Sequence, residues 1–170
     1  MRAFFNALSR SRSMKRMAAG FGPARRFARR FTAGETLDDA VAEVRDLNAK
    51  GMDASLNHLG ESVAAEEDAR RATGEYVGTL QRISDEGLRA TVSVKPSHLG
   101  LEFGAEFFEA RLREVAGAAG ELGNRVEVDI EDSSTTDATL EAFHAVLGAT
   151  GNLRLALQAC LRRTAGDLEG

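Results

Sequence analysis

The sequence has a single cysteine, Cys160, among its 170 residues. One cysteine excludes an intrachain disulfide, so nothing in the chain calls for an oxidising compartment, and a cytoplasmic location is expected. Long hydrophobic runs are also missing, because charged residues interrupt every apolar stretch before the roughly 20 positions that a membrane span needs. With 43% hydrophobic and 28% charged residues, the composition predicts a soluble chain with one modest core.

Acidic residues are absent from the first 31 positions, which contain nine Arg or Lys residues, whereas the rest of the chain has 13 basic and 26 acidic residues. Such a segment is typical of an organelle transit peptide, and also of a patch that binds nucleic acid or a membrane. We interpret residues 1–34 as a basic helical arm, because Phe4, Phe5 and Leu8 recur at helical spacing. Aromatic and basic residues do not interleave as a single-strand binder requires, so no nucleic-acid partner is expected.

From residue 35 onward, short apolar stretches alternate with helical patterns. Thr36 stands three residues before Asp39, which is the spacing of a helix capping box. Glycines at 51, 87 and 120 are expected to end the first three helices. The predicted strands cover residues 54–57, 90–94, 126–130 and 153–157. The first predicted helix follows Thr36, and the next two run through residues 69–83 and 106–119. The fourth contains Leu140, Phe143 and Leu147.

This β-α order predicts parallel strands joined by right-handed crossovers. A doubly wound nucleotide-binding sheet is disfavoured, because no G-x-G-x-x-G loop follows the first strand. Polar side chains follow each strand at once, as they do in (β/α)₈ TIM-type barrels, where chemistry sits at the carboxyl ends of the strands. We therefore predict that residues 35–170 are the first four β-α units of such a barrel. An open half-barrel is expected to aggregate, pair with a second copy or stay poorly ordered.

Five motifs in order along the chain carry a resemblance to a known family. They are RFTAGETL (residues 30–37), LNHLGE (56–61), SVKPSHLGL (93–101), VDIEDS (128–133) and LQACL (157–161). Together they resemble the proline dehydrogenase family of the monofunctional bacterial type, and the sequence is expected to be its N-terminal half. The resemblance includes the basic arm, which counts against a transit peptide.

The resemblance implies a flavoprotein that oxidises L-proline to pyrroline-5-carboxylate in proline catabolism, with FAD rather than FMN as cofactor. Lys95 matches the family lysine that binds the substrate carboxylate, and Asp129 matches an acid among the catalytic residues. Gln158 and Ile130 match positions that contact the flavin. Glu61 matches a glutamate that gates the site by pairing with an arginine, which is expected beyond Gly170. The resemblance also implies that the electron acceptor is a quinone and that the protein associates peripherally with the inner membrane.

Two other interpretations remain open. His58 and His98 follow strands, and with Asp129 and Glu131 they suggest a metal-dependent barrel lyase or isomerase, although no H-x-H or H-E-x-x-H spacing supports it. The other interpretation is a non-catalytic half-barrel. By position alone, Lys95 and Asp129 also fit a structural ion pair. We expect Glu131 to be a solvated or helix-start acid.

Overall fold

The computed structural model describes residues 32–59 and 63–168. The chain divides into two compact units, residues 1–43 and 44–170. The interpretation of residues 1–34 as a helical arm falls almost wholly outside the described residues, so it stays a prediction. None of the helices in the described ranges combines the length and the apolar composition needed to cross a membrane.

Helices and strands alternate along the described chain as the sequence predicts. Strands β3 and β4 are each one residue shorter than predicted, and a short 3₁₀ turn at Leu101–Phe103 follows β2. The elements are α1 (Leu37–Ala49), β1 (Ala54–Asn57), α2 (Glu66–Asp85), β2 (Ala90–Val94), α3 (Ala105–Glu121), β3 (Val126–Asp129), α4 (Thr136–Thr150), β4 (Leu153–Ala156) and α5 (Thr164–Asp167).

The ends of the helices follow local rules in the sequence. Thr36 Oγ1 accepts a hydrogen bond from the Asp39 N–H at 3.2 Å, and Asp39 Oδ2 accepts one from the Thr36 N–H at 3.2 Å, which confirms the capping box. Gly87 has a φ of 59° and ends α2 as predicted. The prediction that Gly120 ends α3 is wrong, because the helix continues to Glu121 and the left-handed conformation falls to Gly123.

The four strands are parallel and lie in the order β1-β2-β3-β4. Each new strand is added at the same edge, whereas a doubly wound sheet reverses its order. Helices α2, α3 and α4 cover one face of this sheet and bury an apolar core there, whose members include Tyr76, Leu80, Ile83, Leu99, Phe108, Leu112, Phe143, Val92, Val94, Val115 and Val126. A one-way parallel sheet with its helices on one face is a sector of a (β/α)₈ barrel.

The face of the sheet that points away from the helices is polar. Successive strand residues point to opposite faces, so positions that alternate with the core valines line this second face. Ser55 and Thr91 donate hydrogen bonds to the Glu127 carboxylate at 2.6 and 3.1 Å, which links β1, β2 and β3. Arg154 stands beside Glu127 in the register. The second face thus presents charged and hydroxyl groups. The same alternation of side chains continues along each strand to its carboxyl end.

Candidate functional site

Lys95 and Asp129 lie side by side at the carboxyl end of the sheet. Lys95 follows the last residue of β2, and Asp129 is the last residue of β3. Because the register pairs Val94 with Val128, the next residues of the two strands stand at one level. Lys95 Nζ lies 4.0 Å from Asp129 Oδ2, with the side chains 19% and 27% exposed. The structure thus brings together the residues that the sequence marked as substrate-binding and catalytic.

Gln158 lies two residues beyond β4 and reaches back to the neighbouring strand end. Its Nε2 atom donates a hydrogen bond to the Ile130 carbonyl at 2.8 Å. The Gln158 carbonyl in turn accepts hydrogen bonds from the Thr164 hydroxyl at 2.6 Å and from the Leu161 N–H at 3.0 Å. Gln158 is therefore held at both its main chain and its side chain, next to the two charged residues.

These strand ends enclose an open cleft of about 570 Å³, lined by Lys95, Asp129, Ile130, Glu131, Ala156, Leu157 and Gln158. Four of the five predicted site residues line this cleft, although their positions in the chain are up to 63 residues apart. Ile130 itself is only 5% exposed. The fifth, Glu61, lies outside the described residues, so its role as a gate stays a prediction.

Glu131 holds the loop that follows β2. Its Oε2 atom accepts a hydrogen bond from the Ser97 N–H at 2.8 Å, and its Oε1 atom accepts one from the Ser97 hydroxyl at 2.9 Å. The expectation of a solvated or helix-start acid is therefore wrong for Glu131. One signal in the sequence could have revealed this contact. Glu131 stands two residues after Asp129, and in an extended chain this spacing directs both side chains to the same face.

Behind Lys95, Tyr76 and His98 form a buried polar pair, with 2% and 7% of each residue exposed. The Tyr76 hydroxyl lies 3.1 Å from His98 Nδ1. Burial raises the pKa of Tyr76 above its ordinary value of 10.0, and the Asp129 carboxylate raises it further. The phenol is thus protonated and serves as the donor, which assigns His98 Nδ1 as the acceptor.

The surroundings of His98 favour the neutral form of its ring. Burial lowers its pKa from the ordinary 6.5, and the neighbouring His58 lowers it further. The His58 and His98 rings meet edge to face with their centroids 5.1 Å apart. On its other side, His58 Nδ1 lies 3.0 Å from Glu75 Oε2. A chain of polar side chains therefore runs from the surface of α2 to the back of the β2 strand end.

A metal centre built on these histidines is not favoured. The Nδ1 atoms of His58 and His98 are directed at Glu75 and Tyr76 respectively. Within residues 32–59 and 63–168, no three His, Cys, Asp or Glu side chains stand together in a way that could hold a metal ion. The described part of the chain thus gives no support to a metal-dependent lyase or isomerase.

Comparison with known proteins gives one family. Residues 40–170 match the family model described as proline dehydrogenase. Proline dehydrogenase 1 of Bacillus subtilis (strain 168) is 32% identical over 168 residues, which cover 99% of this chain and 55% of the relative. Proline dehydrogenase 2 of the same strain is 30% identical with the same coverage. The chain spans about half the length of the curated relatives it matches.

Solved structures show the same fold. The chain resembles proline utilization A from Bdellovibrio bacteriovorus inactivated by N-propargylglycine, with a TM-score of 0.79 and 21% identity over 86% of this chain and 18% of that one. A variant of proline utilization A from Bradyrhizobium japonicum gives a TM-score of 0.63 and 24% identity over 80% of this chain and 16% of that one. These neighbours are TIM-type barrels, which confirms the predicted fold class. The family match over most of the sequence shows that this chain belongs to the proline dehydrogenase family.

Proposed function

We propose that this chain is part of a flavin-dependent enzyme that oxidises L-proline to pyrroline-5-carboxylate. The observation that carries the proposal is the pairing of Lys95 with Asp129 at 4.0 Å, at the carboxyl ends of adjacent parallel strands. This edge of a barrel sheet is where such folds hold their substrates. The family is flavin-dependent in general, and the cleft beside the pair offers the neutral amide that a flavin edge requires.

Lys95 binds the substrate carboxylate. Proline carries one carboxylate and one ring amine, and an ammonium at the floor of a cleft provides a point charge for the first group. At 4.0 Å, Asp129 is too far for a strong hydrogen bond to Lys95 but lies within ion-pair distance of its ammonium. Holding the carboxylate in this way orients the ring for reaction, because a single anchored geometry replaces many free ones.

Gln158 and Ile130 contact the flavin. One N–H of the Gln158 amide is donated to the Ile130 carbonyl, and the amide also carries an oxygen acceptor and a second N–H donor. A flavin edge carries both carbonyl and N–H groups, so this donor and acceptor set fits it without adding charge. A flavin held by these residues would supply the acceptor for the hydride from the proline ring carbon, with the proton of the ring nitrogen released to solvent. Ile130 contributes a small apolar surface at the margin of the cleft.

The finer assignments extend the same proposal. The flavin is FAD rather than FMN, the electron acceptor is a quinone, and the protein is cytoplasmic with peripheral association with the inner membrane. Glu61 gates the site by pairing with an arginine. Residues 1–34 form the basic arm, and the barrel begins at residue 35. Each of these assignments rests on the family resemblance together with the sequence pattern.

The experiment is to purify the product of the complete reading frame that encodes this sequence and to record its visible absorption under anaerobic conditions. We expect the absorption of a bound flavin, and we expect L-proline to bleach it. Release of the cofactor by denaturation, followed by mass measurement, distinguishes FAD from FMN. A protein that carries a metal ion and no flavin, or a flavin that L-proline leaves oxidised, would overturn the proposal.

A matched pair of lysine variants separates the site from general charge effects. Lys95→Met removes the ammonium from the cleft, whereas Lys50→Met removes one from an exposed position after α1. Bleaching by proline should fail or slow strongly in the first variant and proceed normally in the second. Equal behaviour of the two variants would remove Lys95 from the site.

A further inference from the structure

The carboxylate of Glu131 binds Ser97 with both of its oxygen atoms. Oε2 accepts from the Ser97 N–H at 2.8 Å, and Oε1 accepts from the Ser97 hydroxyl at 2.9 Å. These contacts join the segment after β3 to the loop after β2, across 34 residues of sequence. We call this pair of hydrogen bonds the Glu131–Ser97 clasp. Hydrogen bonds to an ionised acceptor are stronger than neutral ones, so the clasp is a firm connection.

We propose that Glu131 is a positioning residue, which sets the place of the Lys95 ammonium for an anionic ligand through the clasp. The inference rests on the proposed function of Lys95 as the group that binds the substrate carboxylate. Glu131 acts through Ser97 and the main chain, so it touches neither of the reacting partners.

The main chain between the clasp and Lys95 has little freedom. Pro96 stands between Lys95 and Ser97, and its ring restricts φ to a narrow range. The Lys95 carbonyl accepts hydrogen bonds from the His98 N–H at 3.0 Å and from the Leu99 N–H at 3.1 Å, which closes a turn. A turn that is closed on itself and clamped at Ser97 transmits the position of Glu131 directly to the root of the Lys95 side chain.

The clasp also relates Lys95 to Asp129. Glu131 lies two residues after Asp129, so the segment that carries the carboxylate partner of Lys95 is the same segment that holds Ser97. At the other end of the same two segments, Lys95 Nζ lies 4.0 Å from Asp129 Oδ2. Without the clasp, the loop after β2 would lose both hydrogen bonds between Ser97 and the segment after β3, and the strand register alone would position the main chain of Lys95 relative to Asp129.

The negative charge of Glu131 and its positioning role predict opposite effects of its replacement on the affinity for an anionic ligand. An affinity measurement can therefore decide between them. Glu131 lines the same cleft as Lys95, so its negative charge opposes the binding of a carboxylate. If charge alone mattered, removing it by Glu131→Ala or by Glu131→Gln would strengthen binding in both variants. If position matters, Glu131→Ala weakens binding, whereas Glu131→Gln still offers an oxygen and an amide to Ser97 and retains it.

The test measures the affinity of the purified, flavin-loaded protein for cyclopentanecarboxylate by titration calorimetry. This anion has the ring and carboxylate of proline but no ring nitrogen, so it binds without being oxidised. We expect Glu131→Ala to weaken binding about tenfold and Ser97→Ala to weaken it about threefold, with Glu131→Gln within about threefold of wild type. The double variant should be no weaker than Glu131→Ala alone, because both changes break one connection.

Kinetics with L-proline provide the second readout. Displacement of the Lys95 ammonium should raise KM more than it lowers kcat. The reason is that this group binds the substrate carboxylate in both the ground state and the transition state. Glu141→Ala serves as the matched control, because Glu141 is an exposed glutamate on α4. If Glu131→Ala does not fold, Ser97→Ala decides the matter, since it removes only one of the two hydrogen bonds. Equal or tighter binding in the soluble clasp variant would overturn the inference.

The outcome for the wild-type protein separates this inference from the proposed function. A wild-type protein that binds the anion but is not reduced by proline overturns the dehydrogenase function and leaves the clasp to be judged by affinity. A wild-type protein that neither binds the anion nor is reduced by proline overturns both, whereas one that is reduced by proline but does not bind the anion overturns the inference alone. Normal reduction by proline together with unchanged affinity in every clasp variant overturns the inference alone.

Discussion

The hydroxyl of Tyr76 lies 3.1 Å from Nδ1 of His98, and the two residues are 2% and 7% exposed. The Tyr76 side chain comes from α2, and His98 comes from the loop after β2, so the hydrogen bond joins a covering helix to the segment that also carries Lys95. Buried polar groups are costly when they lack a partner, so each of these residues depends on the other.

Replacing Tyr76 by Phe should destabilise the fold. The variant keeps the ring and leaves His98 Nδ1 without its donor, which costs about 1–3 kcal/mol. Urea unfolding followed by circular dichroism measures the change in the free energy of unfolding. The cycle with His98→Leu is the control: once His98 has lost its ring nitrogens, Tyr76→Phe should cost less than it does in wild type, and the remaining cost is that of the hydrogen bond between the Tyr76 hydroxyl and the Lys95 main chain. Equal costs in both backgrounds would show that the hydrogen bond contributes nothing.

Stability should fall as the pH is lowered through the titration of His98. Burial, and then the neighbouring His58, lowers the pKa of His98 in the folded protein below that of the unfolded chain. Below the unfolded value of about 6.5, the unfolded chain binds a proton that the folded protein refuses, so the free energy of unfolding decreases by up to about 1.4 kcal/mol per pH unit. Above that value this contribution is constant.

Unfolding measured at several pH values between 8 and 5 tests this dependence. The His98→Gln variant should show a shallower decline than wild type, because one of its titrating groups is gone. His58, Glu75 and Glu131 also act on His98 through their charges, so His58→Gln is measured beside it. Identical slopes in wild type and His98→Gln would contradict the prediction.

Lys95→Met should lower kcat/KM for L-proline by about 10- to 100-fold in the flavin-loaded protein, which corresponds to the loss of one charge-assisted contact. Steady-state dye reduction measures the effect. The flavin content should stay close to that of wild type, because the ammonium is assigned to the substrate. A variant that loses its flavin but reacts normally when flavin is restored would contradict the assignment.

Gln158→Ala should weaken the retention of flavin. The change removes the amide and also breaks the 2.8 Å hydrogen bond to the Ile130 carbonyl, so the ends of β3 and β4 lose a connection next to the cofactor. We expect the dissociation constant of the flavin to rise about tenfold. Equilibrium dialysis against free FAD measures it. Gln81→Ala is the control, because it removes an exposed glutamine side chain from α2 outside the cleft, and this variant should bind FAD as wild type does.

A polypeptide of residues 1–170 alone should show no proline-dependent dye reduction. The four strands within the described residues form an open sheet in which β1 and β4 are the edges, and the cleft at the strand ends is open to solvent. A charged anchor in water holds a carboxylate weakly, because solvent screens the interaction. Measurable reduction of a dye by this purified polypeptide would contradict the prediction.

Much of the fold followed from local patterns. The stripe Ala69, Ala72, Tyr76, Leu80 and Ile83 predicted the buried face of α2, and each of these residues is buried. Helical periodicity, capping residues and left-handed glycines act within a few residues of one another, so they can be recognised without any knowledge of the tertiary structure. Gly120 was misjudged for the same reason, because two glycines lie near the end of α3 and local pattern alone did not choose between them.

The sequence by itself determined the alternation of strands and helices, and therefore which polar residues stand at the carboxyl end of each strand. It thereby indicated Lys95, Asp129 and Gln158 as members of one site. Only the tertiary structure decided their partners: Gln158 to the Ile130 carbonyl, Glu131 to Ser97, and Tyr76 to His98. The physical reason is that side-chain hydrogen bonds depend on the register of the strands and on the packing of the helices. Both are set by contacts between residues far apart in the chain.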